Sequence, residues 1–100
     1  AQDKRRLDID VGIGYGSDLK LAKELCEGLI DREEKILKDQ EHIVVVDSLA
    51  DSAVMLKLRF WVRPEDYWST KWKMTEDVKL LFDENGIEIP FNQMDVNIRQ

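Results

Sequence analysis

Nine residues from Val54 to Val62, Val-Met-Leu-Lys-Leu-Arg-Phe-Trp-Val, restrict the fold more than any other stretch of the chain. Val54, Leu56, Leu58, Phe60 and Val62 fall on one side, and Met55, Lys57, Arg59 and Trp61 on the other. A period of two is that of a pleated strand, whose successive side chains point to opposite faces. The chain therefore builds a sheet with one apolar face and one solvated face, and something must cover the apolar one.

The rest of the sequence supplies that cover. Arg6 to Tyr15 alternates as well, with Leu7, Ile9, Val11, Ile13 and Tyr15 opposed to Arg6, Asp8, Asp10, Gly12 and Gly14. Ser17 or Asp18 can cap a helix in which Leu19, Ala22, Leu25, Cys26, Leu29 and Ile30 recur at helical spacing, ending near Asp31. The connection Asp31 to Glu41 is charged; Ile36 and Leu37 tuck under the domain and the rest is solvated. His42 to Leu49 reads as a second strand and Ala50 to Ser52 as the turn into the third. Pro64-Glu65-Asp66 suits a helix start, with proline in the first turn and acids near the positive end of the dipole. Trp68, Trp72, Met74, Val78, Leu81 and Phe82 are expected to form the buried stripe of this second helix, and Gly86 to stop it. Ile87, Ile89 and Phe91 predict a fourth strand that Pro90 limits to an edge or a break. Met94, Val96 and Ile98 then alternate with Asp95, Asn97 and Arg99 as a short terminal strand.

This order predicts an α+β fold, the ferredoxin-like βαββαβ arrangement. It has a four-stranded antiparallel sheet, both helices on one face, and the first and third strands side by side at the centre, running parallel. The domain is expected over residues 1–92, with 93–100 as a separate strand. Five residues alone make no stable strand in water, so that last strand needs a partner.

Composition narrows the function. One hundred residues describe one small domain, and a formal net charge of -6 argues against a nucleic-acid or anionic-lipid footprint. A single cysteine makes no internal disulfide, so a cytosolic setting is the default. No apolar run is long enough to span a bilayer. A start at Ala1, without Met or a signal-like segment, suggests a piece of a longer protein.

The motif Val11-Gly-Ile-Gly-Tyr-Gly-Ser-Asp-Leu19 invites a phosphate-loop reading, but after Gly12 and Gly14 the sixth position of a dinucleotide fingerprint is Ser17. Asp18 occupies the helix start, and no Lys or Arg stands between Val11 and Leu19 to hold an anion, as a small phosphoryl or acyl hydrolase would require. His42, the only histidine, reads as a surface residue rather than a base or ligand. Cys26 reads as a small core residue, and Asp31, Glu33 and Glu34 as a solvated charge run. Asp8 and Asp10 are expected to pair with Lys57 and Arg59 across strands. Trp68 and Trp72, one turn apart, suit core or interface better than a stacking platform. No nucleophile, base and orienter converge, so the chain is read as a non-enzyme, with no cofactor and no metal.

Several blocks together resemble a known family: Asp8-Ile-Asp-Val-Gly-Ile-Gly-Tyr-Gly-Ser-Asp-Leu19, Ile36-Leu-Lys-Asp39, Leu58-Arg-Phe-Trp-Val62 and Phe82-Asp-Glu-Asn-Gly-Ile-Glu-Ile-Pro-Phe-Asn-Gln-Met-Asp-Val96. They look like the carboxy-terminal cytoplasmic region of the small-conductance mechanosensitive channel (MscS) family, most distinctively over Ile89 to Val96. Asn92 stands where a second proline is common. The resemblance implies a homoheptamer that opens under membrane tension and releases solutes in hypo-osmotic shock, with a hollow cytoplasmic cage whose wall this domain forms. Met94, Asp95, Val96, Asn97 and Ile98 would then be one strand of a small parallel barrel at its base, where ring closure removes the exposed edge. The partner implied is the chain itself. The membrane is reached only through upstream helices, in the inner membrane with this domain on the cytoplasmic side. A ferredoxin-like small-molecule-sensing regulatory domain is the alternative.

The glycines then gain a different reading. Gly12 and Gly14, with Gly16 beyond them, are expected to clear the face opposite the helices so that Arg59, Trp61 or a neighbouring subunit can lie flat there.

Overall fold

The computed structural model describes residues 3–91. The elements run β1 (Arg5–Ile13), α1 (Leu19–Arg32), β2 (Ile43–Leu49), β3 (Val54–Val62), a 3-10 turn (Pro64–Asp66) and α2 (Tyr67–Glu84). The strand assigned to Met94, Asp95, Val96, Asn97 and Ile98, and the boundary at 92/93, lie outside the described residues.

The sheet is three-stranded in the order β1-β3-β2. β3 is central and antiparallel to both neighbours, with Arg5 opposite Val62 and Ile13 opposite Val54 along its β1 side. The parallel pairing expected for the first and third strands is therefore wrong. The turn at Ala50, whose N–H donates to Ala53 O at 2.8 Å, reverses β3 relative to β2. The α1 crossover brings β2 back in the direction of β1, so a strand inserted between the two must oppose both.

The fourth strand is also absent among the described residues. Ile87 to Phe91 makes a single backbone bond to the end of β1, from Gly14 N–H to Glu88 O at 2.9 Å, and the Glu88 N–H donates to Ser17 Oγ at 3.3 Å. Pro90 has no amide to continue a ladder.

Both helices cover one face. Leu7 and Ile13 of β1, Leu56, Leu58, Phe60 and Val62 of β3, Cys26 and Ile30 of α1, and Met74 and Phe82 of α2 are buried together in one core. α2 packs on β1, α1 packs on β2, and the helices touch each other. Ile36, from the charged connection, is buried opposite Val62, and the Leu37 N–H donates to Trp61 O at 2.8 Å. That short segment covers the end of β3 that β2 does not reach.

The helix ends follow their sequence signals. Asp18 Oδ1 accepts the Leu21 N–H at 3.0 Å and caps α1. Gly86 takes φ 73°, and the Ile87 N–H reaches back to Phe82 O at 2.9 Å, while Ile87 and Phe82 are both buried. This is a Schellman stop with its hydrophobic contact.

Two expectations about side chains are overturned. Trp68 and Trp72 do not belong to the buried stripe of α2; they are 54% and 65% exposed. The buried row is Thr70, Met74, Val78 and Phe82, and a residue two positions from such a row points about 200° away around the helix. Glu33 is not solvated: it is buried at the end of α1, with Oε1 3.0 Å from Lys73 Nζ of α2. Burial pushes its carboxyl up, but the Lys35 amide and the Lys73 ammonium more than offset this and hold it below its ordinary value. Lys73, hydrogen-bonded to Asp77 and then to Glu33, is pushed up to about 12.

Candidate functional site

The face of the sheet turned away from the helices carries the residues singled out in the sequence. The antiparallel register sets Asp8 directly opposite Arg59 and Asp10 opposite Lys57. Arg59 Nε lies 3.0 Å from Asp8 Oδ1, and Lys57 Nζ 3.3 Å from Asp10 Oδ1, so the expected cross-strand pairs form. Arg6 adds a second cation to Asp8 at 3.5 Å. Such pairs fix register and keep the face polar, each contributing a fraction of about 1 kcal/mol in this half-exposed setting.

The same register separates residues that had been grouped. Trp61 is opposite Arg6 and Arg59 is opposite Asp8, near one end of β1, whereas Gly12 is opposite Met55 near the other. The space above Gly12 is taken by Met55 and Ala53: a Cβ there would meet Met55 Sδ at 3.0 Å and Ala53 Cβ at 3.1 Å. At Gly14 a Cβ would meet only ordinary contacts, the nearest being Glu88 Oε1 at 3.5 Å, and at Gly16 nothing within 4 Å. Neither Arg59 nor Trp61 lies over these glycines; a parallel pairing would have been needed to bring them there.

Two shallow apolar grooves flank the end of β1, with Ile89 in both. One, of about 300 Å³, lies between Gly12, Met55, the turn at Ala50 to Ala53, and Phe91. The other, of about 230 Å³, lies between Ile9 and Val11 of β1 and Thr75 and Val78 of α2. The second occupies the place the predicted fourth strand would have filled. Tyr15 helps shape this end of the molecule by donating its hydroxyl to Ala50 O.

The remaining chemical candidates take structural places. Cys26 is buried on α1, and desolvation, with a smaller push from Glu27, raises its thiol to about 12. His42 is half-buried, with Nε2 2.6 Å from Glu27 Oε1. Among the described residues no group of three or more His, Cys, Asp or Glu is placed to hold a metal ion. No helix among them is long and apolar enough to cross a membrane.

The features missed at the sequence level are the exposed pair Trp68 and Trp72 and the buried Glu33. The first was available from helical phase, since Met74, Val78 and Phe82 define a row that neither tryptophan joins. The second had no local signal, because the partner that pays for its burial, Lys73, is forty residues away in sequence.

Residues 7–89 match the family described as "Mechanosensitive ion channel MscS, C-terminal". An MscS family protein of Synechocystis is 34% identical over 97 residues, covering 97% of this chain and 33% of its own length. The small-conductance mechanosensitive channel of Edwardsiella ictaluri is 33% identical over 99 residues, covering 99% of this chain and 35% of its own. The crystal structure of Helicobacter pylori MscS in its closed state superposes with a TM-score of 0.85 at 33% identity, over 91% of this chain and 36% of that one. The chain spans about a third of the length of these relatives. With the family pattern over residues 7–89 and the same fold in a solved member, the chain belongs to the MscS mechanosensitive channel family and corresponds to its C-terminal domain.

Proposed function

We propose that this chain is the cytoplasmic wall domain of a tension-gated channel, assembled as a homoheptamer in the inner membrane through upstream helices. The observation that carries this is the match in fold and sequence to Helicobacter pylori MscS over 91% of the chain. The domain works by geometry rather than reaction chemistry. It shapes a cage whose openings pass small solutes and hold back large ones during osmotic release. Its net charge of -6 disfavours anions near its surface. Residues 1–92 form the wall, and 93–100 leave it, with Met94, Asp95, Val96, Asn97 and Ile98 as one strand of a closed barrel. Closure gives that strand partners on both sides, which a lone five-residue strand lacks. The sheet face turned away from the helices, with Arg59 and Trp61 near one end of β1 and Gly12 near the other, and with Gly14 and Gly16 beyond the strand, is turned toward a neighbouring copy.

The full-length protein, extracted in detergent, tests this reading. Native mass measurement should give a heptamer, and patches containing it should carry current only under tension. A monomeric or dimeric mass, or tension-independent current, would overturn the reading. Removing residues 93–100 should lower the yield of heptamer without unfolding the domain.

A further inference from the structure

Among the exposed apolar side chains, which also include Tyr15, Leu19, Leu80, Ile89 and Phe91, two groups lie at opposite edges of the domain. The Trp68 and Trp72 rings lie 5.8 Å apart on α2, tilted by 38° to each other, and Tyr67 abuts Trp68 edge to face. Lys73 and Asp77 point α2 toward Glu33 at the end of α1, whereas Thr75 and Lys79 line the groove at the free edge of β1. Trp68 and Trp72 lie three to eleven positions from Thr75 and Lys79 at helical spacings, and so share their flank rather than the α1 side. The second exposed group is on β2, the strand at the opposite edge of the sheet, where Val46, 37% exposed, and Leu49, 70% exposed, register opposite Leu56 and Val54 on the helix-bearing face, while Val45 points to the other face. α2 sits over β1 and α1 over β2, so these two patches occupy opposite lateral flanks of the two-layer domain.

Two different apolar patches on opposite sides of one molecule are the requirement for a head-to-tail contact, which closes into a ring when the rotation per copy allows. A two-fold dimer would need one self-complementary patch instead. Charge adds one complement to the pairing. Lys71 lies over the Trp68 ring on the α2 flank, where Lys79 is already paired with Asp83, and residues 43–53 on the β2 flank contain Asp47 and Asp51 and no Lys or Arg.

We propose that the Trp68–Trp72 flank of one copy receives the β2 flank of the next, around Val46 and Leu49, as a lateral contact between neighbouring wall domains. The inference rests on the self-assembly reading above and assigns that assembly a contact. Two half-exposed tryptophans cover well under the roughly 800 Å² per partner of a standard interface, so the contact is weak in the isolated chain and gains strength from ring closure.

Sedimentation of the chain at up to about 1 mM tests it, because contacts of millimolar strength become visible there. The native chain should sediment faster as concentration rises. A Trp68→Ser/Trp72→Ser variant, blocked on one flank, and a Leu49→Arg variant, blocked on the other, should each stay monomeric; thermal melts check that both remain folded. Should Leu49→Arg not fold, Asp47→Lys replaces it, since it reverses a charge on that flank and leaves the apolar groups in place. An equal mixture of the two blocked variants retains one intact contact and should form a dimer and nothing larger. Concentration-independent sedimentation of the native chain, combined with a heptameric full-length protein, overturns this contact but leaves the assembly reading standing. Association that persists in either blocked variant, or a mixture that stays monomeric, overturns the contact outright.

Discussion

A methyl group on Gly12 would press on Met55 Sδ at 3.0 Å and on Ala53 Cβ at 3.1 Å; one on Gly14 would meet nothing closer than 3.5 Å. Met55 can swing its flexible end away, but Ala53 Cβ is fixed to the backbone of the turn. Gly12→Val is therefore expected to lose about 1–3 kcal/mol by overpacking. Gly14→Ala should stay within about 0.5 kcal/mol of the native chain. Urea melts of the two variants check this, and equal losses would show that crowding at Gly12 is not the cause. Thr70 offers the opposite case. Its hydroxyl is buried on the core row of α2 and has no hydrogen-bond partner among the described residues. Thr70→Val keeps the shape and removes the unsatisfied group, so the melting midpoint should rise by the equivalent of about 1 kcal/mol; a fall would mean that the hydroxyl is satisfied in solution. At this scale the sequence told which face of β1 Gly12 occupies, since alternation decides that. Its neighbour depends on strand direction, and so Met55 appears where Arg59 and Trp61 had been expected.

The helices end where short-range chemistry says they should. Asp18 supplies an acceptor to the Leu21 amide, and Gly86 supplies the positive φ of 73° that the Schellman stop requires. Asp18→Ala should cost about 1 kcal/mol, and Gly86→Ala a similar amount through strain at positive φ. Replacing Gly86 with Asn, which tolerates that conformation better, should recover part of the loss. Thermal melts of the three variants check the pair of caps, and an unaffected Gly86→Ala would contradict the observed stop. β3 was legible residue by residue, because its period of two survives any choice of partner. The stripe of α2 was only partly legible. Met74, Val78 and Phe82 were recognised correctly, but apolar character alone drew Trp68 and Trp72 into the same stripe against their helical phase. The segment after Gly86 alternates like a strand, yet one backbone bond to Gly14 and the missing amide of Pro90 leave it beside the sheet rather than in it.

Across the whole molecule, Glu33 ties the end of α1 to α2. Its oxygens take the Lys35 amide at 3.1 Å and Lys73 Nζ at 3.0 Å, and the Lys38 ammonium caps its carbonyl at 2.6 Å. A carboxyl held below its ordinary value of 4.5 in the fold adds stability that is fully present above that value and lost as pH falls through the lower, folded one. As pH falls below 4.5, the native chain should therefore lose stability more steeply than Glu33→Gln, which already lacks the contribution at pH 7. Urea midpoints measured as the pH is lowered through that value check it, and parallel profiles would remove Glu33 from the acid response. The sequence by itself determined what local periodicity and capping encode: three of the expected strands, two helices, one apolar sheet face, the ends of both helices and the placing of Asp8, Asp10, Lys57 and Arg59 on the other face. Its block pattern also carried the family. Tertiary structure alone decided the antiparallel direction of β3, the three-stranded sheet, the neighbour of Gly12, the burial of Glu33 and the exposure of the two tryptophans. Each of those depends on a partner distant in the chain, and the energy of a contact is set by what the fold brings opposite it, which no local pattern records.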